Sequence, residues 1–95
     1  MKATLLFRTR QRFDDGAILE ALIWRVPEPV PGSEHRFKYR LYYGHPGQRV
    51  IGYDNERGKG DHRHRGTVER SYLFTTPEKL WRDFMADVNA ARRKS

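Results

Sequence analysis

Residues Arg36 to Tyr43 read RFKYRLYY, and this stretch decides the fold class. Phe37, Tyr39, Leu41 and Tyr43 alternate with Arg36, Lys38, Arg40 and Tyr42. Successive strand side chains point to opposite faces, so the stretch predicts a strand with one apolar and one basic face. Upstream, Ala3 to Arg12 reads as a strand with Arg8, Arg10 and Arg12 on one side and Leu5, Phe7 and Thr9 on the other. Asp14-Asp15-Gly16 is a tight-turn signal leading into Ala17 to Val26. That strand has apolar residues on both faces: Ile18, Leu22 and Trp24, against Leu19, Ala21 and Ile23. It is expected at the sheet centre or covered on both sides, with Trp24 in the core. A helix is the competing reading for Ala17 to Trp24, but the turn and the β-branched and aromatic content favour a strand.

Pro27, Pro29, Pro31 and Gly32 form a stiff connection that cannot join a central ladder. His45-Pro46-Gly47-Gln48 turns the chain into a strand at Arg49 to Tyr53, and Val68 to Phe74 reads as a last short strand. Thr76 followed by Pro77 suits a helix N-cap and first turn, with Thr75 and Glu78 as an alternative capping box. Leu80, Trp81, Phe84, Val88 and Ala91 then recur at helical spacing. The expected fold is α+β: one compact domain over residues 1–95, with an antiparallel sheet of four or five strands and a C-terminal helix packed on one face.

The chain has 95 residues, no cysteine, and a formal charge of +7 from 19 Lys and Arg against 12 Asp and Glu. Disulfides and thiolate metal sites are therefore excluded. The longest apolar runs, Leu5 to Phe7 and Ala21 to Trp24, are too short to span a membrane, so no membrane partner is expected. The start, MKATLLFRTR, lacks the apolar core of a signal peptide, and the expected location is the cytoplasm. The charge favours a polyanion partner, RNA above all, or an acidic protein that masks it. Candidate nucleic-acid contacts are Arg8, Arg10, Arg12, Arg36, Lys38 and Arg40, with Tyr42 to stack on a base. No Walker loop, nucleotide-binding glycine fingerprint or nucleophile elbow is present, and no cofactor is expected.

Chemistry concentrates in Tyr53 to Arg65, YDNERGKGDHRHR. His62 and His64 would share one side if the segment is extended, and they are the candidate base and acid of metal-free RNA cleavage. Asp61 would orient one imidazole. Lys59 and Arg57 would grip the phosphate, helped by Arg63 and Arg65. Asp54 and Glu56 are reserve bases. A metal reading takes Asp61, His62 and His64, with Asp54, as ligands. A bland reading makes the segment an exposed charged loop whose histidines have no core contacts and little effect on stability.

Three strings carry a family resemblance: Pro27-Glu28-Pro29-Val30-Pro31-Gly32-Ser33, FKYRLYYG at Phe37 to Gly44, and GYDNERGKGDHRH at Gly52 to His64. They resemble the TumE family of toxin components of two-gene toxin–antitoxin modules. The resemblance covers nearly the whole chain from Leu5 onward. It implies a small basic toxin whose partner is a cognate helix-turn-helix antitoxin. It implies no catalytic residues, so the site assignment rests on the residue chemistry above. The combined expectation is a type II toxin that inhibits translation by metal-independent RNA cleavage. The alternatives are a non-catalytic basic toxin that blocks a nucleic acid or ribosome, and a metal-dependent nuclease or transferase. The oligomeric state, a homodimer included, is open.

Overall fold

The computed structural model describes residues 2–56 and 58–94. Six strands cross one antiparallel sheet in chain order: β1 (Thr4–Arg12), β2 (Ile18–Arg25), β3 (Phe37–His45), β4 (Gln48–Asp54), β5 (His62–Arg65) and β6 (Val68–Ser71). Helix α1 (Pro77–Arg93) packs across β3 and β4. Thr76 is its N-cap and accepts a hydrogen bond from Lys79 N at 3.1 Å, so the proline-led start forms rather than the Thr75 capping box. No helix among the described residues is long and apolar enough to cross a membrane.

Alternation decides which face the helix covers. Leu19, Ala21 and Ile23 of β2, Tyr39, Leu41 and Tyr43 of β3, and Ile51 and Tyr53 of β4 are buried with Leu80, Phe84 and Val88 of α1. Burial of a side chain such as Phe84 contributes about 1.5–3 kcal/mol. The partner residues on the same strands face the opposite way, and no helix or strand among the described residues packs over them.

Three sequence expectations change. The sheet has six strands rather than four or five, because β5 lies inside the segment expected as a loop. HRHR has no apolar alternation, and its pairing with β4 on one side (Asp54 opposite His62, Gly52 opposite His64) and with β6 on the other makes it a strand. Leu5 does not share a face with Phe7. A bulge at Leu6 sets Leu5 opposite Trp24 and Phe7 opposite Ile23, and Phe7 meets Trp81 edge-on at 4.9 Å. Trp24 is only half-buried, on the uncovered face, and β2 is second from the edge rather than central.

The Pro-rich connection is fastened to the sheet by polar groups. Asp61 accepts from Ser33 Oγ at 2.7 Å and from Tyr39 OH at 2.6 Å, and its Oδ2 meets His35 Nε2 at 2.7 Å. His35 Nδ1 accepts from Phe37 N at 3.1 Å, so the imidazole proton sits on Nε2 and donates to Asp61. Asn55 is fully buried and donates to Phe37 O at 2.8 Å and to Ser33 Oγ at 3.1 Å, while its Oδ1 accepts from Tyr39 N at 3.0 Å. The two loops touch through backbone. A Cβ on Gly32 (φ +93°) would stand 2.6 Å from Gly60 N, so neither loop tolerates a side chain there.

Asp61→Ala strands three donors at once, and the expected cost is about 2–4 kcal/mol. Thermal denaturation followed by circular dichroism should show the midpoint falling by roughly 10–20 °C. An unchanged midpoint would show that the connection is held by other contacts.

Candidate active site on the uncovered sheet face

Antiparallel register sorts the uncovered face into rows. One row runs Arg8, Leu22, Arg40, Asp54, His62, Ser71, and its neighbour runs Arg10, Glu20, Tyr42, Gly52, His64, Glu69. The basic strands β1 and β3 therefore share a face with both histidines. That face is not uniformly basic. Glu20 lies between Arg10 and Tyr42, and Glu56 comes within 4.0 Å of Lys38 and 3.9 Å of Arg40.

The imidazoles of His62 and His64 meet edge-to-face with centroids 4.9 Å apart. His62 is only 7% exposed. Its Nδ1 lies 3.0 Å from Gly60 O, and its Nε2 lies 3.0 Å from Asp54 Oδ1. A carbonyl oxygen can only accept, so Nδ1 carries a proton. Nε2 meets Asp54 as a close contact that does not have the alignment of a hydrogen bond. His64 has looser partners: Asp54 Oδ2 at 3.9 Å from Nε2 and Glu69 Oε2 at 3.8 Å from Nδ1. Burial, then the charge of Arg49, holds the His64 pKa below the ordinary histidine value, with Glu69 and Asp54 pulling the other way. Arg49 reaches this place by lying along Gly52, where a Cβ would stand 2.7 Å from Arg49 Cδ.

The carboxylate that touches His62 is thus Asp54, the residue read as a reserve base. Asp61, read as the orienting group, spends both oxygens on Ser33, His35 and Tyr39. Asn55 is likewise part of the fastening network. Arg63 and Arg65 point to the helix side, because odd and even positions of β5 part company. Arg63 donates to Tyr53 OH at 3.5 Å and Arg65 pairs with Asp87 at 3.0 Å. The Tyr53 hydroxyl, buried and donating to Asp87, has its pKa pushed up to about 12. Lys59 is exposed on the Gly58–Gly60 turn, Arg36 is exposed just before β3, and Arg57 lies outside the described residues. Arg8, Arg10, Arg12, Lys38 and Arg40 are exposed, and Tyr42 is half-buried with its hydroxyl donating to His45 O at 2.6 Å.

Sequence reasoning missed Arg49, Glu69 and His35. The first two come from the pairing of β3 with β4 and of β5 with β6, which a linear reading does not show. Among the described residues, Asp54, His62 and His64 also offer donor atoms within 4.8 Å of one another, a set able to hold a divalent transition metal. The Gly60 carbonyl on His62 Nδ1 would leave Nε2 free as the ligand atom.

A family model described as Toxin TumE matches residues 2–92. No curated protein and no solved structure matches the chain.

Because His62 sits in a strand with two close partners, replacing it is not neutral for stability. His62→Ala should cost about 1–3 kcal/mol, or roughly 5–15 °C in melting midpoint. His64→Ala, which breaks no ion pair shorter than 3.8 Å, should lower the midpoint less. Equal midpoints for the two variants, measured side by side, would show that the Gly60 and Asp54 contacts contribute nothing.

Proposed function

This chain belongs to the TumE family of toxins, and on that premise we propose that it inhibits translation by cutting RNA without a metal ion. In this reading it is one half of a type II module, held silent by a cognate helix-turn-helix antitoxin. The observation that carries the reading is the pairing of two unlike imidazoles on an arginine-rich open face. His64, with its lowered proton affinity, is the unprotonated base at neutral pH. It takes the proton of a ribose 2′-hydroxyl. The 2′-oxygen attacks the adjacent phosphorus, the P–O5′ bond breaks, and His62 acting as the imidazolium acid gives a proton to O5′. The products are a 2′,3′-cyclic phosphate and a 5′-hydroxyl. Arg40, beside Asp54, and Arg49, beside His64, supply positive charge for the phosphorane oxygens. Asp54 fixes the His62 ring and takes over the orienting role given to Asp61 from sequence.

A second reading uses the same donors as metal ligands, favoured by the 4.8 Å grouping of Asp54, His62 and His64. A bound divalent ion would there activate water and polarise the phosphate. A third, a basic toxin that binds RNA or ribosomes without turnover, would need only the arginine rows.

One experiment separates them. The toxin is purified with its antitoxin, released, and incubated with total RNA with and without EDTA. Cleavage should persist in EDTA, and His64→Ala should lower the rate by about 100- to 10,000-fold while abolishing growth arrest in cells. Loss in EDTA with recovery on adding a divalent ion would favour the metal reading. Tight RNA binding without products would favour blockade.

The pH profile gives a further check. The base must be unprotonated, so the rate should fall as pH drops through the lowered His64 value. Removing the repelling charge with Arg49→Gln makes His64 easier to protonate, so that acidic limb should move to higher pH. A limb that stays in place, measured on a defined oligoribonucleotide, would remove His64 as the base.

A further inference from the structure

The uncovered face carries a cleft of about 450 Å3 over β1, β2 and β3 that shares only Arg40 with the proposed cleavage site. Its lining includes Leu22, Trp24 and Tyr42, with Arg10, Arg40 and Glu20 around them. Three apolar or aromatic side chains on a sheet face with no covering element form a flat surface of the kind on which bases stack. The Tyr42 ring is held in place by its hydroxyl bond to His45 O. Glu20 is the odd group. It is exposed beside Arg10 in the register, yet among the described residues it has no ion-pair partner. A carboxylate there repels phosphate and accepts from base N–H groups.

We propose that this cleft is a nucleobase subsite selective for guanine, a reading that rests on RNA being the substrate. Guanine presents N1–H and an N2 amino group side by side, matching the two oxygens of Glu20. Uracil presents one N–H flanked by two carbonyl oxygens, which Glu20 repels. Trp24 and Leu22 receive the ring face, and Arg10 and Arg40 meet the flanking phosphates. The placement fits one strand of RNA. Glu20, Tyr42, Gly52 and His64 lie in one row, so the subsite is three strand spacings, about 14 Å, from the acid–base pair. A few unstacked nucleotides cover that distance, so the selected base lies near the cut rather than at it.

The test is fluorescence anisotropy with labelled 2′-O-methyl pentanucleotides AAGAA and AAUAA, which lack the 2′-hydroxyl nucleophile and report binding alone. The wild-type protein should prefer the guanine oligomer by about tenfold. Glu20→Gln should bring the ratio close to one. Trp24→Ala should weaken binding of AAGAA by about 5- to 100-fold. Circular dichroism checks the fold of both variants, and Glu20→Gln suffices alone because Glu20 is exposed and has no ion-pair partner among the described residues. Equal binding of both oligomers by wild type, or a preference that survives Glu20→Gln, overturns the subsite. If total RNA is still cut in that case, the cleavage reading stands without it. If neither oligomer binds and total RNA is neither bound nor cut, both fall together.

Discussion

One helix covers one face of a six-stranded sheet, and that inequality governs the rest of the molecule. The helix buries three side chains of its own, Leu80, Phe84 and Val88, against strands β2 to β4. Everything on the reverse side must then be compatible with water without help from a second layer. Arginine does this well, since its stem covers apolar surface while its head stays hydrated. The half-buried Ile18, Leu22 and Trp24 sit among such residues. A surface that tolerates water in this way is also a surface to which an anion can bind, so the structural constraint and the proposed chemistry have the same origin.

The sheet also explains why two histidines in adjacent same-face positions differ. His62 lies beside Asp54, with its Nδ1 hydrogen-bonded to Gly60 O. His64, one pair further along, faces the glycine of β4, and the space a side chain would fill is taken by Arg49. One imidazole therefore has a carboxylate at 3.0 Å, while the other has only more distant carboxylates and feels the charge of Arg49. Gly52 on β4 thus makes room for the Arg49 charge that adds to burial in lowering the proton affinity of His64.

Much of the fold is legible in the residues themselves. The alternation at Phe37 to Tyr43, the Asp-Gly turn and the Thr76-Pro77 start all appear where the sequence places them. Two elements escape it. The bulge at Leu6 leaves no compositional trace, and it reverses the face of Leu5. Strand β5 escapes because HRHR reads as solvated charge until it has a neighbour. The site suffers from the same blindness. The shared side of His62 and His64 follows from their spacing, but the choice between Asp54 and Asp61 depends on register and on the Ser33–His35 connection. Spacing along the chain makes Asp61 the nearer partner, whereas pairing across strands makes it Asp54.

The order of the strands has a consequence for synthesis. Each strand pairs with the one made just before it, so the sheet grows by local closure with little loop entropy to overcome, the arrangement associated with fast folding. The arginine rows and the histidines are complete once β5 and β6 have been made. The inner face, however, stays bare until α1 follows and supplies Leu80, Phe84 and Val88. A nascent chain thus acquires its chemical groups before it acquires the stability to hold them in place. A chain cut short within α1 would keep every proposed reactive residue while lacking part of the helix that closes the core over the inner face.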